Sequence, residues 1–210
     1  MIYQQAYEGV KKLLVSETLY LTSSVFAFTA TLLIAVTSKM GETDAMPLLL
    51  GAGLLMIVSL VISIVATIME IIGLAKAKRN ESLFKTALGF AVAGVFANVG
   101  AVLTSGMFSN ICSGINEAFV LLVSIYMVLG FYSLALRLDN TAVIRVGKAA
   151  TIVIAVIFAF AILDRVVSLF VPRLDDMMDV ACAVLEIVAG IVLLVYLALS
   201  KKMLAKGTAE

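Results

Sequence analysis

Six apolar runs, each long enough to cross a bilayer, follow one another along the chain with only short polar connections between them. They lie approximately at Leu19–Thr37, Pro47–Ala75, Phe84–Thr104, Ala118–Leu136, Val146–Phe170 and Val180–Ser200. A hydrocarbon core about 30 Å thick takes about 20 helical residues to span, and a chain inside it must satisfy its own backbone hydrogen bonds. The expected fold is therefore all-α, a polytopic bundle of about six transmembrane helices. Composition agrees: 63% of the 210 residues are hydrophobic and 14% charged, against roughly 45–50% and 25% in soluble domains. Such a chain leaves no room for a separate water-soluble domain.

The connections carry their charge unevenly. Lys11 and Lys12, then Lys76, Lys78, Arg79 and Lys85, then Arg137, Arg145 and Lys148, then Lys201, Lys202 and Lys206 all fall on one side of a six-span chain. The other side has Lys39, Glu42 and Asp44, the nearly uncharged stretch SGMFSNICSGIN, and Arg173 with Asp175, Asp176 and Asp179. Basic loops stay on the cytoplasmic side, so both termini are expected inside. Five or seven spans would scatter the basic loops over both faces. Short loops and the lack of an organelle signal point to a bacterial cytoplasmic membrane, and the polar, aromatic start of the chain does not read as a cleavable signal peptide.

Residues 1–17 place Ile2, Tyr3, Tyr7, Val10, Leu13 and Leu14 at spacings of three and four, with mostly polar residues between. This pattern predicts an amphipathic interfacial helix; the plainer alternative is an extension of the first span. Residues 18–204 form the six-helix domain and 205–210 a cytoplasmic tail. The second run, roughly 29 residues, exceeds a perpendicular crossing and should tilt or project, with Pro47 in its first turn. An internal repeat is also visible. The pieces GLAKAKRNESLFKTALGF, SLALRLDNTAVIRVGKAATI and YLALSKKMLAKG each join an apolar hairpin end to basic residues, and Lys85 to Lys148 and Ala135 to Ala198 are both separated by 63 positions. Either three related parallel hairpins or chance likeness between basic-ended apolar segments accounts for this.

Histidine is absent, which removes Ser-His and Cys-His nucleophile pairs, haem ligation through histidine and HExxH metal chemistry. Cys112 and Cys182 are the only cysteines and form no CxxC; two free thiols are expected, with no zinc or iron–sulfur ligand set. No GxSxG element, Gly-rich phosphate loop or paired-carboxylate metal motif occurs. The sequence thus predicts a protein that is not an enzyme and holds no cofactor.

Two rows of small residues stand out, Gly89, Ala93, Ala97, Ala101 and Ser105 on the third span and Ser23, Ala27, Thr31 and Ala35 on the first. Small residues let helices approach closely in lipid, so the third span is expected at a crowded interface within the bundle or with another protein. Ser59, Ser63 and Thr67 add hydroxyls on the second span, which either bond back to their own helix or line a solute route.

Glu186 is the most informative ionisable residue, about two turns inside the sixth span in the run VACAVLEIVAGIVLLV. An ionised carboxylate there must face the bundle interior, find a partner or bind a proton. Arg165, beside Asp164, is nearest by depth, so one reading is a buried Arg165–Glu186 lock; the other is a water-facing carboxylate that binds a cation or relays a proton. Asn98 on the third span is read as an interhelical amide or a substrate contact, and Glu70 as a solvated or locally paired charge. Asp175, Asp176 and Asp179 suit either a helix N-terminus or a weak hard-cation site.

Two functions fit these residues, transport as the first reading and an accessory role as its alternative. Small-solute or ion transport draws on the hydroxyl rows, Asn98 and Glu186. A membrane-embedded accessory subunit, packing against another membrane protein or itself, draws on the small-residue faces and the minimal extramembrane mass. Beyond the lipid bilayer and such a partner, nothing in the sequence points to nucleic acid.

Overall fold

The computed structural model describes residues 3–37, 42–170 and 175–207, with the side chains of residues 42–44, 107, 158, 161–170, 175–180, 182, 183, 186 and 207 outside the description. The described residues form six α-helices, α1 (Gln4–Thr37), α2 (Glu42–Ala77), α3 (Leu83–Leu103), α4 (Met107–Arg137), α5 (Thr141–Phe170) and α6 (Asp175–Gly207). Five of them, all but α5, are long and apolar enough over the described residues to cross a membrane.

The helices outrun the apolar segments that announce them. α1 continues without a break from Gln4, so the segment expected as an interfacial helix is the first turns of one long helix. Its residues Ala6, Val10 and Leu13 are buried in the core. α4 begins at Met107 rather than Ala118, which makes most of the polar SGMFSNICSGIN stretch helical and shortens the α3–α4 connection to Thr104, Ser105 and Gly106. Gly106 turns the chain there with φ +65°, a conformation glycine adopts without a Cβ penalty. Pro47 lies inside α2, which starts at Glu42, rather than in its first turn. At that position its missing N–H removes one hydrogen bond to the preceding turn, a modest loss so near the helix end.

Consecutive helices pair as the antiparallel hairpins α1/α2, α3/α4 and α5/α6; each hairpin touches the next, and α6 returns to pack on α1. The tightest hairpin, α1/α2, is built on a strict seven-residue repeat of small side chains. On α1 the row is Gly9, Ser16, Ser23, Ala30 and Thr37; on α2 it is Ala45, Ala52, Ser59, Ala66 and Gly73, all buried. Beyond Leu13, no other residue of α1 is buried. A seven-residue repeat keeps one seam facing its partner only if the two helices supercoil left-handedly, and small residues along it bring the backbones close. At Gly9 an added Cβ would lie 2.7 Å from the Gly73 carbonyl oxygen. One turn pair further in, the Ser16 hydroxyl donates to the Ala66 carbonyl at 2.7 Å. At the centre, Ser23 and Ser59 donate to each other's carbonyls.

The other hairpins lock through an aromatic ring on a glycine. Phe84 of α3 lies over Gly130 of α4, where an added Cβ would come within 2.7 Å of the ring, and meets Phe131 edge-on at 4.7 Å. Tyr196 of α6 covers Gly147 of α5 and donates its hydroxyl to the Val128 carbonyl of α4 at 2.9 Å. One ring thereby joins three helices.

Among the described residues, the large side chains that are fully buried sit toward the end of the bundle that carries the basic loops. Val10, Leu74, Phe84, Phe131, Val143, Tyr196 and Leu204 are all fully buried there, whereas at the opposite end Phe96, Val102, Leu103 and Phe108 are each more than 70% exposed. The connections reinforce the basic end. Asn80, between α2 and α3, accepts the Ala6 N–H at 2.8 Å and so satisfies one of the free donors of the first turn of α1. Asn140 accepts the Val143 N–H at 3.1 Å and caps α5. Buried Glu81 pairs with Arg137 at 2.8 Å and accepts the Ser133 hydroxyl at 3.1 Å, which ties the second connection to the end of α4.

Candidate functional site

The α1/α2 seam fixes a register, and that register brings polar side chains together across the hairpin. The Tyr20 hydroxyl of α1 donates to Glu70 Oε2 of α2 at 3.1 Å and lies 2.8 Å from the Thr67 hydroxyl. Thr67 in turn donates to the Ser63 carbonyl of its own helix at 2.9 Å. Glu17, one turn before Tyr20, reaches toward α6, where its Oε1 lies 3.5 Å from the position a Cβ on Gly190 would take. Two carboxylates, a phenol and a threonine hydroxyl thus gather where α1, α2 and α6 meet, with Glu17 six residues along from Lys11 and Glu70 six from Lys76. Such oxygen-rich groups can hold a proton or a hard cation, although no group of three or more metal-ligating side chains forms among the described residues.

Glu70 is therefore a cross-helix partner rather than a charge reaching only for the interface, and Glu17 and Tyr20 join it unannounced. The signal that could have found them is the seven-residue repeat: Tyr20 and Glu70 flank seam positions that face each other.

Asn98 is exposed on the outer half of α3 and makes no hydrogen bond among the described residues. Five residues before the helix ends at Leu103, it stands among Phe96, Val99 and Val102, all exposed. In the row expected to pack, Gly89 is exposed with open space around it, and Ala93, Ala97 and Ala101 are half-buried. The line of α3 that packs tightly is Phe84, Ala87, Ala91 and Gly94. On α1, Ser23 belongs to the seam, whereas Thr31 and Ala35 are exposed. Ser59 is likewise committed to the seam, so its hydroxyl lines no route.

The Glu186 and Arg165 side chains lie outside the described residues, as do those of Asp164, Asp175, Asp176, Asp179 and Cys182. Cys112 is a free thiol whose Sγ sits against Gly100. Two shallow grooves lie on the surface of the described residues, one between α1 and α6 and one between α4 and α5; neither reaches Asn98.

No protein-family model, curated protein or solved structure matches the chain.

Proposed function

We propose that this protein is a non-enzymatic membrane subunit that associates, through the outer half of α3, with another transmembrane helix. The observation that carries the reading is Asn98. An amide without a partner costs several kcal/mol in hydrocarbon by order of magnitude, and asparagine in a span ordinarily bonds across a helix interface. Among the described residues nothing bonds the Asn98 amide, while the open row from Gly89 to Ala101 lets a second helix come close. The Ser59 hydroxyl is spent on the α1/α2 seam, and the Thr67 hydroxyl donates to its own helix, which weakens transport by comparison.

In this reading the chain crosses the membrane six times, α5 included, with the basic end and both termini in the cytoplasm. The equal separations of Lys85 from Lys148 and of Ala135 from Ala198, 63 positions in each case, favour repeated hairpins.

The test is the size of the complex extracted from native membranes in mild detergent. The parent should migrate above its monomer mass, Asn98→Leu should shift to the monomer, and Asn98→Gln should restore association. A parent that is monomeric under every mild extraction contradicts the reading.

The Glu17, Tyr20, Thr67 and Glu70 cluster favours a second reading, movement of a proton or small cation through the bundle. Flux into proteoliposomes that falls in Glu70→Gln, and in Glu186→Gln, supports it; absence of flux for every ion tried counts against it.

A further inference from the structure

We propose that the two grooves between hairpins at the basic end bind the headgroup phosphate of anionic phospholipids, with Lys201 and Lys202 as its ligands in one and Lys148 in the other. The grooves are built alike. Between α1 and α6, a space of 210 Å³ is lined by Tyr7, Leu14, Ala198, Ala205 and the two lysines. Between α4 and α5, a space of 330 Å³ is lined by Leu129, Tyr132, Thr151, Ile152 and Lys148. Each therefore sets lysine and a tyrosine beside an apolar wall, at a place where one hairpin meets the next.

Charge identifies the occupant. Among the described residues, Lys148, Lys201 and Lys202 have no carboxylate partner, whereas Lys11, which stands over the Tyr7 ring at 4.3 Å, and Lys76 are both engaged by Glu8. Unpaired ammonium groups above an apolar floor match an amphiphile whose phosphate is anionic and whose chains are hydrocarbon. Basic pockets between transmembrane helices take up such headgroups, and the long lysine stem can lie along the floor while its ammonium meets the phosphate. Cytoplasmic retention of basic loops accounts for lysines at this end in general but not for their placement in both grooves.

The experiment uses the full chain purified in neutral detergent, titrated with phosphatidylglycerol, phosphatidylcholine or inorganic phosphate and read by native mass spectrometry as bound lipid per chain. Two phosphatidylglycerol molecules should bind in preference to phosphatidylcholine. Each lysine removed should weaken its groove about fivefold, so Lys148→Gln and the pair Lys201→Gln/Lys202→Gln should each lose one bound lipid. The pair Lys78→Gln/Lys85→Gln removes charge at the same end outside both grooves and should retain two. Monodisperse elution and parental helicity show that each variant is folded. Equal loss in the control pair, no preference over phosphatidylcholine, or full displacement of lipid by millimolar inorganic phosphate would each overturn the proposal.

Discussion

Ser23 and Ser59 face each other at the centre of the α1/α2 seam, each hydroxyl donating to the other's backbone carbonyl at 2.9 Å with the two oxygens 2.8 Å apart. Hydrogen bonds between transmembrane helices contribute about 0.6 kcal/mol on average and up to about 1.7 kcal/mol. Ser23→Ala should lower stability within that range, and adding Ser59→Ala should cost less than the sum of the two single changes because they share partners. Ser23→Leu should cost more, about 1–3 kcal/mol, by forcing the helices apart. Unfolding in mixed micelles, followed by circular dichroism, measures all three.

Gly9 and Gly73 give a sharper steric contrast. A Cβ at Gly9 would stand 2.7 Å from the Gly73 carbonyl, whereas one at Gly53 on the same hairpin meets nothing within 4 Å. Gly9→Ala should therefore destabilise by about 1–3 kcal/mol. Gly53→Ala should be neutral or stabilise by about 0.5–1 kcal/mol through helix propensity. The same micelle unfolding separates the two signs.

Tyr196 makes its contributions in two separable parts. Tyr196→Phe keeps the ring on Gly147 and loses the hydroxyl's bond to Val128, which should cost about 1 kcal/mol. Tyr196→Ala removes a fully buried ring and should cost about 3–5 kcal/mol. Hydrogen exchange in α5 and α6 should rise strongly only in the second variant.

At the basic end, Arg137→Ala would leave the buried Glu81 carboxylate without its cation. Because Arg137 is itself half exposed, the Coulombic loss is screened, and about 1–3 kcal/mol is expected, chiefly from the orphaned carboxylate. Glu81→Ala/Arg137→Ala should be milder than Arg137→Ala alone. A double-mutant cycle on the unfolding midpoint tests the order.

The helices themselves were legible because twenty apolar residues in a row have few other solutions. Their ends were not: hydropathy sees where a helix leaves the lipid, while Met107–Asn116 and the first turns of α1 continue by backbone hydrogen bonding that hydropathy does not register. The seam was missed for a different reason. Gly9, Ser16, Ser23 and Thr37 are neither strongly apolar nor large, so their seven-residue spacing leaves little mark on an apolar helix, and rows at four-residue spacing through the same segment draw the eye instead. A straight helix drifts about 20° per heptad from such a row; only supercoiling with α2 makes it one face. Without that register, the approach of Tyr20 to Glu70 could not be read. Asn98 could be recognised as an amide that needs a partner, but whether its own bundle supplies one depends on how far the outer ends of the hairpins stand apart, which no local pattern encodes.

Cysteine cross-linking beside Asn98, with the amide left in place, tests the central claim most directly in native membranes. In a Cys112→Ser/Cys182→Ser background, Val102→Cys, exposed one turn beyond Asn98 on α3, should yield a discrete cross-linked species, with a second copy or a single other membrane protein, and Ile152→Cys on the exposed face of α5 should not. Equal cross-linking at both positions, or none at residue 102, would contradict an association surface on the outer half of α3.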